Sequence, residues 1–397
     1  MEPIRQKTKS LTNRASDSAV KGFRDFTGEE AEMFSEIKKI IVSNFERYGF
    51  QPAETPVIEQ EDFVKGGDKN ENKDEVISDI FKLKDKGKRN LALRYEFTFQ
   101  LKRLMSGKKM PYKRYEIGNV FRDEPVSSNR LRQFTQCDAD IVGVSEIPSR
   151  DEAEILSLTE GILRELGIKP IILINNRKLL NEIFDDLKIK KNKEQILREI
   201  DKSDKVSEKE LRANLGKLKA EKVMEALKQG EDYFNKFESY KEIISLMDYC
   251  RIYGINVRFS PTIVRGLSYY NGAVFEIKAE GIKETIVGGG SYNFNGMRCT
   301  GISFGVERLM AVAKLKLQKE KYLVVSLGQD KDAIKIVQRL RYGGKEVSIF
   351  YGKPTKALEY ANSYRINNVI FVGEKEVRSG KFKVKDMRSG KESALKF

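Results

Sequence analysis

Between Ile80 and Val144 the chain carries one short strand-like run after another: IFKLKD, NLALRYEF, KRYEIGNVFRDE and QFTQCDADIVGV. Turns rich in Gly, Lys, Ser and Asn separate them, and no helix long enough to serve as a crossover intervenes. Parallel strands need a connection of about a dozen residues or more, so this pattern predicts an antiparallel sheet. A second stretch, YYNGAVFEIKAEG with IKETIVGGGSY, extends it to Tyr292, ending in a Gly-rich turn and a helix within TGISFGVERLMAVAKLKL.

Helices flank these strands. Apolar residues at 33, 34, 37, 40, 41 and 45 predict a helix over 28–48 whose acidic first turn suits the N-terminal dipole. After Gly49, Pro52 and Pro56 exclude helix and predict an extended edge or interface element. Residues 149–167 read as a helix with Ser149 as N-cap and Gly167 as its stop. From about 180 to 250 the chain turns to Lys, Glu and Leu at helical spacing with almost no Gly or Pro, a helical insertion, and strands resume at RIYGINVRFS. Near 320 the pattern changes. YLVVSLG, a helix over 330–342, KEVSIFYG, a helix over 354–364 and NVIFVGE alternate as β-α-β-α-β, predicting a small parallel or mixed domain. The expected architecture is an α+β domain over 21–320, an antiparallel sheet flanked by helices, followed by an α/β domain over 321–397. Residues 1–20 read as a mobile basic arm.

The 397 residues include no histidine and no tryptophan. Ser-His-Asp and Cys-His catalysis and an imidazole zinc site are therefore excluded. Chemistry must run on Arg, Lys, carboxylates, Tyr, backbone and bound ions. Cys137, Cys250 and Cys299 form no Cys-x-x-Cys pair, which points to a reducing, cytoplasmic setting with neither a disulfide frame nor a zinc site. No apolar run approaches the ~18 residues of a membrane span. The net charge is +15, and 321–397 holds 17 basic against 8 acidic residues. That balance favours a polyanionic partner such as RNA.

The most informative cluster is 113–140. Arg122 and Glu124 lie two apart on one strand, a loop carries Arg130 and Arg132, and the returning strand bears Phe134, Gln136, Asp138 and Asp140 at period two. One face would then present an arginine for phosphate, an aromatic for a base and carboxylates for amines.

FRDE followed by RLRQFTQ resembles motif 2 of the class II aminoacyl-tRNA synthetases, and GGGSYN with GISFGVERLM resembles their motif 3. The helix and proline strand over 28–58 are similar to motif 1, the dimer element. VRGLSYYNGAVFE at 264–276 resembles the signature of histidyl-tRNA synthetases, and LALRYEFTFQLKRL at 91–104 is similar to that family's other substrate segment. The resemblance implies the class II fold with a C-terminal anticodon-binding domain, ATP with Mg²⁺, L-histidine and histidine tRNA as partners, and a homodimer.

The roles it implies are these. Arg122 would hold the α-phosphate and the histidine carboxylate, Arg265 would replace a metal contact near the α-phosphate, and Arg308 would lie along the far side of ATP. Glu124, Arg130 and Phe134 would bind the nucleotide. Glu96, with Phe97 and Thr98 beside it, and Gln136 would bind the α-amino group. Asp140 and Tyr270, helped by Tyr269, would hydrogen-bond the imidazole nitrogens. Gly288, Gly289 and Gly290 would let the backbone approach the ligand beside Tyr292, and no protein ligand for a metal is assignable. Preorganised cations would supply most of the acceleration, because charge builds on the phosphorus oxygens as the histidine carboxylate attacks. That carboxylate is already ionised, so no histidine base is needed.

Ser268 stands where many members carry Asp. Pro125, Val126 and Asp140 are similar to the archaeal form. A non-catalytic paralogue binding histidine or tRNA as a regulator is the alternative implied. A chain without histidine codons could also be translated when histidyl-tRNA is scarce, although a codon bias toward Lys, Ile and Asn would give the same composition.

Overall fold

The computed structural model describes residues 18–65, 79–127, 130–203, 206–264, 269–316 and 320–395. Most of the basic arm and Arg265 lie outside them. The chain divides into two compact units, Met1–Leu315 and Lys316–Phe397, five residues before the change placed at 320 by pattern. No described helix is long and apolar enough to cross a membrane.

The first unit opens with α1 (Gly28–Arg47), which carries Glu29 and Glu30 in its first turn and buries Ile37, Ile41 and Phe45. Then come β1 (Gln51–Pro52), β2 (Ile58–Gln60), α2 (Glu61–Val64), β3 (Lys82–Lys84), β4 (Asn90–Leu93), α3 (Leu101–Leu104), β5 (Tyr112–Phe121) and β6 (Gln133–Val142). After α4 (Pro148–Glu165) and β7 (Pro170–Asn176) the insertion runs through α5 (Arg177–Asp186), α6 (Lys193–Asp201), α7 (Glu208–Lys217), α8 (Glu221–Leu227), α9 (Glu231–Phe234) and α10 (Glu238–Ile252). The unit closes with β8 (Val257–Phe259), β9 (Tyr270–Ala279), β10 (Thr285–Phe294), β11 (Met297–Gly305) and α11 (Val306–Val312).

Eight strands form one sheet in the order β1-β5-β6-β11-β10-β9-β7-β8. Its middle is antiparallel as expected, while β1 on β5 and β8 on β7 are parallel pairs at the two edges. Pro52 lies in the edge strand β1, where a residue without N–H is tolerated. One sheet face, through Tyr115, Cys137, Ala139 and Ile141, packs with α1, α4 and the insertion helices into the main core.

Three local expectations are corrected. Ser149 is not the N-cap of α4. The cap is Ile147, because Pro148, with fixed φ and no N–H, starts the helix, and Ser149 sits inside it. The motif 3 segment is helical only from Val306; residues 300–305 are strand. Gly288, Gly289 and Gly290 lie within β10 rather than in a turn, paired on both sides. A Cβ on Gly289 would overlap the Gly301 carbonyl oxygen, and one on Gly290, where φ is +154°, would come 2.9 Å from the Tyr270 ring. Close backbone approach, not chain reversal, is what requires these glycines.

In the second unit β12 (Lys321–Ser326), α12 (Asp330–Tyr342), β13 (Glu346–Tyr351), α13 (Pro354–Ser363), β14 (Asn368–Val372), α14 (Glu374–Ser379), β15 (Lys383–Asp386) and β16 (Glu392–Ala394) build a mixed sheet in the order β13-β12-β14-β15-β16. Val324 and Ile370 pack with α12 on one face, and Leu323 and Val369 with α13 on the other.

Gly289→Ala should lower the unfolding free energy of the first unit by about 1–3 kcal/mol, and with it the urea midpoint. An unchanged midpoint in urea unfolding would contradict the close approach.

Candidate active site

The face opposite the main core is built by register. Arg114 on β5 stands beside Asp140 on β6, Gly301 on β11 and Gly290 on β10. The next row holds Glu116, Asp138, Ser303 and Gly288, and the third Gly118, Gln136 and Gly305. Period two puts Arg114, Glu116, Gln136, Asp138 and Asp140 on this one face, and all five are buried. The glycines make room for them. A Cβ on Gly301 would overlap Asp140 Oδ1, and one on Gly118 would strike the Arg94 guanidinium.

Asp140 is held from two sides. The Tyr292 hydroxyl donates to its Oδ1 at 2.6 Å, and Arg114 Nη2 lies 3.0 Å from its Oδ2. Arg114 Nη2 also donates to the Phe97 carbonyl at 2.9 Å. Glu116 accepts from the Thr55 backbone at 3.0 Å, the Thr55 hydroxyl at 2.6 Å and Arg94 at 3.3 Å. Gln136 donates to Asp138 Oδ2 at 3.0 Å. Glu96 accepts from the Phe99 N–H at 3.1 Å. Tyr269 hydrogen-bonds Thr98 and Tyr270 through its side chain and packs 4.7 Å from the Tyr270 ring and 5.5 Å from that of Tyr292.

Four buried carboxyl groups (Glu96, Glu116, Asp138 and Asp140) thus lie among three arginines, Arg94, Arg114 and, beside Glu96, Arg122. The crowding shows in their proton affinities. Burial, then repulsion from Asp140, pushes Asp138 up to about 8, so it holds its proton at pH 7. Burial also raises Glu96, Glu116 and Asp140, with Arg114 and the Tyr292 hydrogen bond opposing the rise in Asp140. Arg114 is itself raised, since its carboxylate neighbours outweigh the burial that disfavours its charge. Asp140 Oδ2 faces Arg114 Nη2 at 3.0 Å without an aligned hydrogen bond, while Asp138 is hydrogen-bonded by Gln136 and Ser303. A ligand N–H aimed at Asp140 Oδ2 would supply the missing bond, worth about 1–3 kcal/mol.

A second group surrounds Arg122 at the end of β5. Its guanidinium lies 4.4 Å from the Tyr95 ring centroid and 5.1 Å from that of Phe134, and Nη2 donates to Gln136 at 3.3 Å. Arg122 Nε is buried with no hydrogen-bond partner among the described residues. Glu124 pairs with Arg130 at 2.9 Å and accepts from the Tyr95 hydroxyl at 3.3 Å. Burial pushes Tyr95 up to about 12, which keeps it a donor. Arg308 is exposed on α11 and donates to the Thr285 carbonyl at 3.1 Å.

The structure therefore brings Arg122, Phe134 and Gln136 together, gathers Asp140, Tyr269, Tyr270 and Tyr292, and places Glu96, Phe97 and Thr98 beside them. Gly290 leaves its space to the Tyr270 ring. Arg94, Tyr95, Arg114, Glu116, Gly301 and Glu307 escaped the sequence reading. For Arg114 and Glu116 the signal was present, since they alternate with apolar residues in register with Asp140 and Asp138. For Glu307 none was. Its carboxylate accepts from the Thr135 N–H at 2.8 Å, fastening α11 to β6 from 172 positions away. Among the described residues no group of three or more Asp, Glu, Cys or His is arranged to hold a metal ion.

A family model described as histidyl-tRNA synthetase matches residues 22–309, and one described as an anticodon binding domain matches 321–397. The chain is 32% identical over 419 residues to "Histidine--tRNA ligase 2" of Shouchella clausii, with 95% of this chain and 98% of that protein covered. The histidyl-tRNA synthetase of Nostoc sp. PCC 7120 superposes with a TM-score of 0.82 over 96% of this chain and 97% of that one, at 24% identity. An "ATP phosphoribosyltransferase regulatory subunit/histidyl-tRNA synthetase" from Bacillus halodurans gives 0.77 over 91% and 99%, at 19% identity. At those identities the two structures speak for the fold alone.

Asp138 generates a pH dependence. The unfolded chain ionises near 3.8 and the folded one near 8, so between these values the folded protein holds the extra proton. The stability it contributes is full below about 4 and is lost as pH rises through about 8. From pH 5 to 8.5 the unfolding free energy should fall more steeply for the wild type than for Asp138→Asn, by up to ~1.4 kcal/mol per pH unit. Parallel profiles in urea titrations would contradict the assignment.

Proposed function

The chain belongs to the histidyl-tRNA synthetase family, and from that premise we propose that it is a catalytic member: it joins L-histidine to ATP as histidyl-adenylate, releasing pyrophosphate, and passes the acyl group to the 3′ end of histidine tRNA. The observation that carries the reading is the group of four buried carboxyls, among which Asp140 Oδ2 has an ion pair but no aligned hydrogen bond, next to an arginine held between two aromatic rings. An ammonium group and ring N–H groups satisfy the first region. A carboxylate and an α-phosphate suit the second.

In this reading Glu96, Thr98 and Gln136 take the α-ammonium group, and Asp140 and Tyr270 the imidazole. Arg122 draws the histidine carboxylate and the α-phosphate together, offsetting the repulsion of two anions and the charge that builds during attack. Phe134 and Glu124 seat the adenine, Glu124 after exchanging its Arg130 partner. Arg308 and Arg265 complete the cation set. Mg²⁺ enters as part of the ATP substrate. The second unit binds the anticodon region, motif 1 forms a homodimer, and the enzyme works in the cytoplasm. Hydrogen bonding to both ring nitrogens would reject analogues lacking them by ~10⁴–10⁵, which makes editing unnecessary.

The alternative, a regulator without catalysis, is compatible with the fold but leaves Arg122 and its aromatic cradle without a task. The full chain should catalyse ATP–pyrophosphate exchange with histidine and with no other amino acid, and removing 316–397 should reduce tRNA charging far more than exchange. Histidine binding with no exchange would establish the regulator instead, and equal loss of both activities would remove the anticodon role of the second unit.

A further inference from the structure

Arg114 is fully buried and lies on neither the nucleotide nor the motif 2 arginine positions. One of its nitrogens, Nη2, reaches both ends of the amino-acid region. It is 3.0 Å from Asp140 Oδ2, on the imidazole side, and donates at 2.9 Å to the carbonyl of Phe97, between the α-amino residues Glu96 and Thr98. Behind it Nη1 is 3.9 Å from Glu116 Oε2, and Glu116 in turn pairs with Arg94 at 3.3 Å. On the other side of Asp140 the Tyr292 hydroxyl fixes Oδ1. The glycine at 301 leaves no side chain to support the carboxylate from β11.

We propose that Arg114 is the positioning residue that sets histidine specificity: it holds Asp140 in place as an acceptor for the imidazole N–H and locks that acceptor at a set distance from the α-amino residues through Phe97. The inference rests on the reading of this face as the histidine site. Arginine suits the task because the two N–H bonds of its planar Nη2 group point in fixed directions, whereas a lysine ammonium is a freely rotating point charge. Arg114 acts through Asp140 rather than on the reacting atoms.

Arg114→Lys, which retains the buried charge, is the variant to test, with Arg114→Met as a second that removes it. In ATP–pyrophosphate exchange by the full chain, Arg114→Lys should raise the KM for histidine about 10- to 100-fold, the range for a hydrogen bond to a charged group. The KM for ATP should change less than about 2-fold. Inhibition by the isosteric thienyl analogue of histidine, which has no ring N–H to offer Asp140, should be unaltered, so the preference for histidine collapses by the same factor. In an Asp140→Asn background the lysine substitution should add nothing further.

A pocket merely loosened by the substitution would weaken histidine, the thienyl analogue and ATP alike, and that result overturns the inference, as does full additivity of the two substitutions. A wild type with no histidine-dependent exchange would instead remove the reading on which it rests. If Arg114→Met does not fold, the lysine variant and the double substitution decide the matter.

Discussion

Everything at the site depends on burying charge on one face of a sheet whose other face is the main hydrophobic core. Cys137, Ala139 and Ile141 lock β6 into that core, and the period of two then forces Gln136, Asp138 and Asp140 to the opposite side. A one-residue slip would put carboxylates among the apolar side chains of α1 and α4, so the core enforces the register of the site. The groups stay buried because Asp140 and Glu116 are paired with arginines and Asp138 holds its proton. Removing one member of such a pair leaves the other uncompensated, at a typical cost of 3–5 kcal/mol. Glycines at 118 and 301 supply the volume in which the pairs fit.

Under the proposed function, the same arrangement shows how a protein without histidine would handle a histidine substrate. Carboxyls outnumber guanidinium groups in the deep part of the site, where an ammonium and a ring N–H would rest. The cation at Arg122 stands at the end of β5, where two anions would meet. Activation of a carboxylate needs charge placed in advance more than it needs a proton acceptor. The polar contacts also join the parts of the site to one another. Thr98 bonds to Tyr269, Tyr269 to Tyr270, Tyr292 to Asp140, and Arg114 spans Asp140 and Phe97.

Local patterns carried much of this. The bounds of α12 coincide with the helix over 330–342 predicted from periodicity, because its apolar face repeats cleanly between Gly328 and Gly343. The triple glycine was misplaced in a turn, since Gly in sequence marks reversals and close backbone approach equally well, and only the partner strand β11 distinguishes them. Ser149 lost the cap to a proline effect one residue earlier. At the site, the resemblance named residues on β6, β9 and β10, whereas Arg114 and Glu307 draw their roles from residues 26 and 172 positions away, at Asp140 and Thr135. For Arg114 the alternation with apolar residues is a local signature of the face it lies on, while the pairing of Glu307 has none. Arg94, which reads as one more strand arginine, is defined by its contacts with Thr55, Glu116 and Asn119.

The most direct measurement of the central claim is a crystal structure of the full chain with L-histidine bound. The account predicts the imidazole against Asp140 and Tyr270, the α-ammonium group against Glu96, Thr98 and Gln136, and Arg114 still bridging Asp140 and the Phe97 carbonyl. Histidine bound away from this sheet face, or Arg114 turned from Asp140 when the ligand is in place, would contradict it.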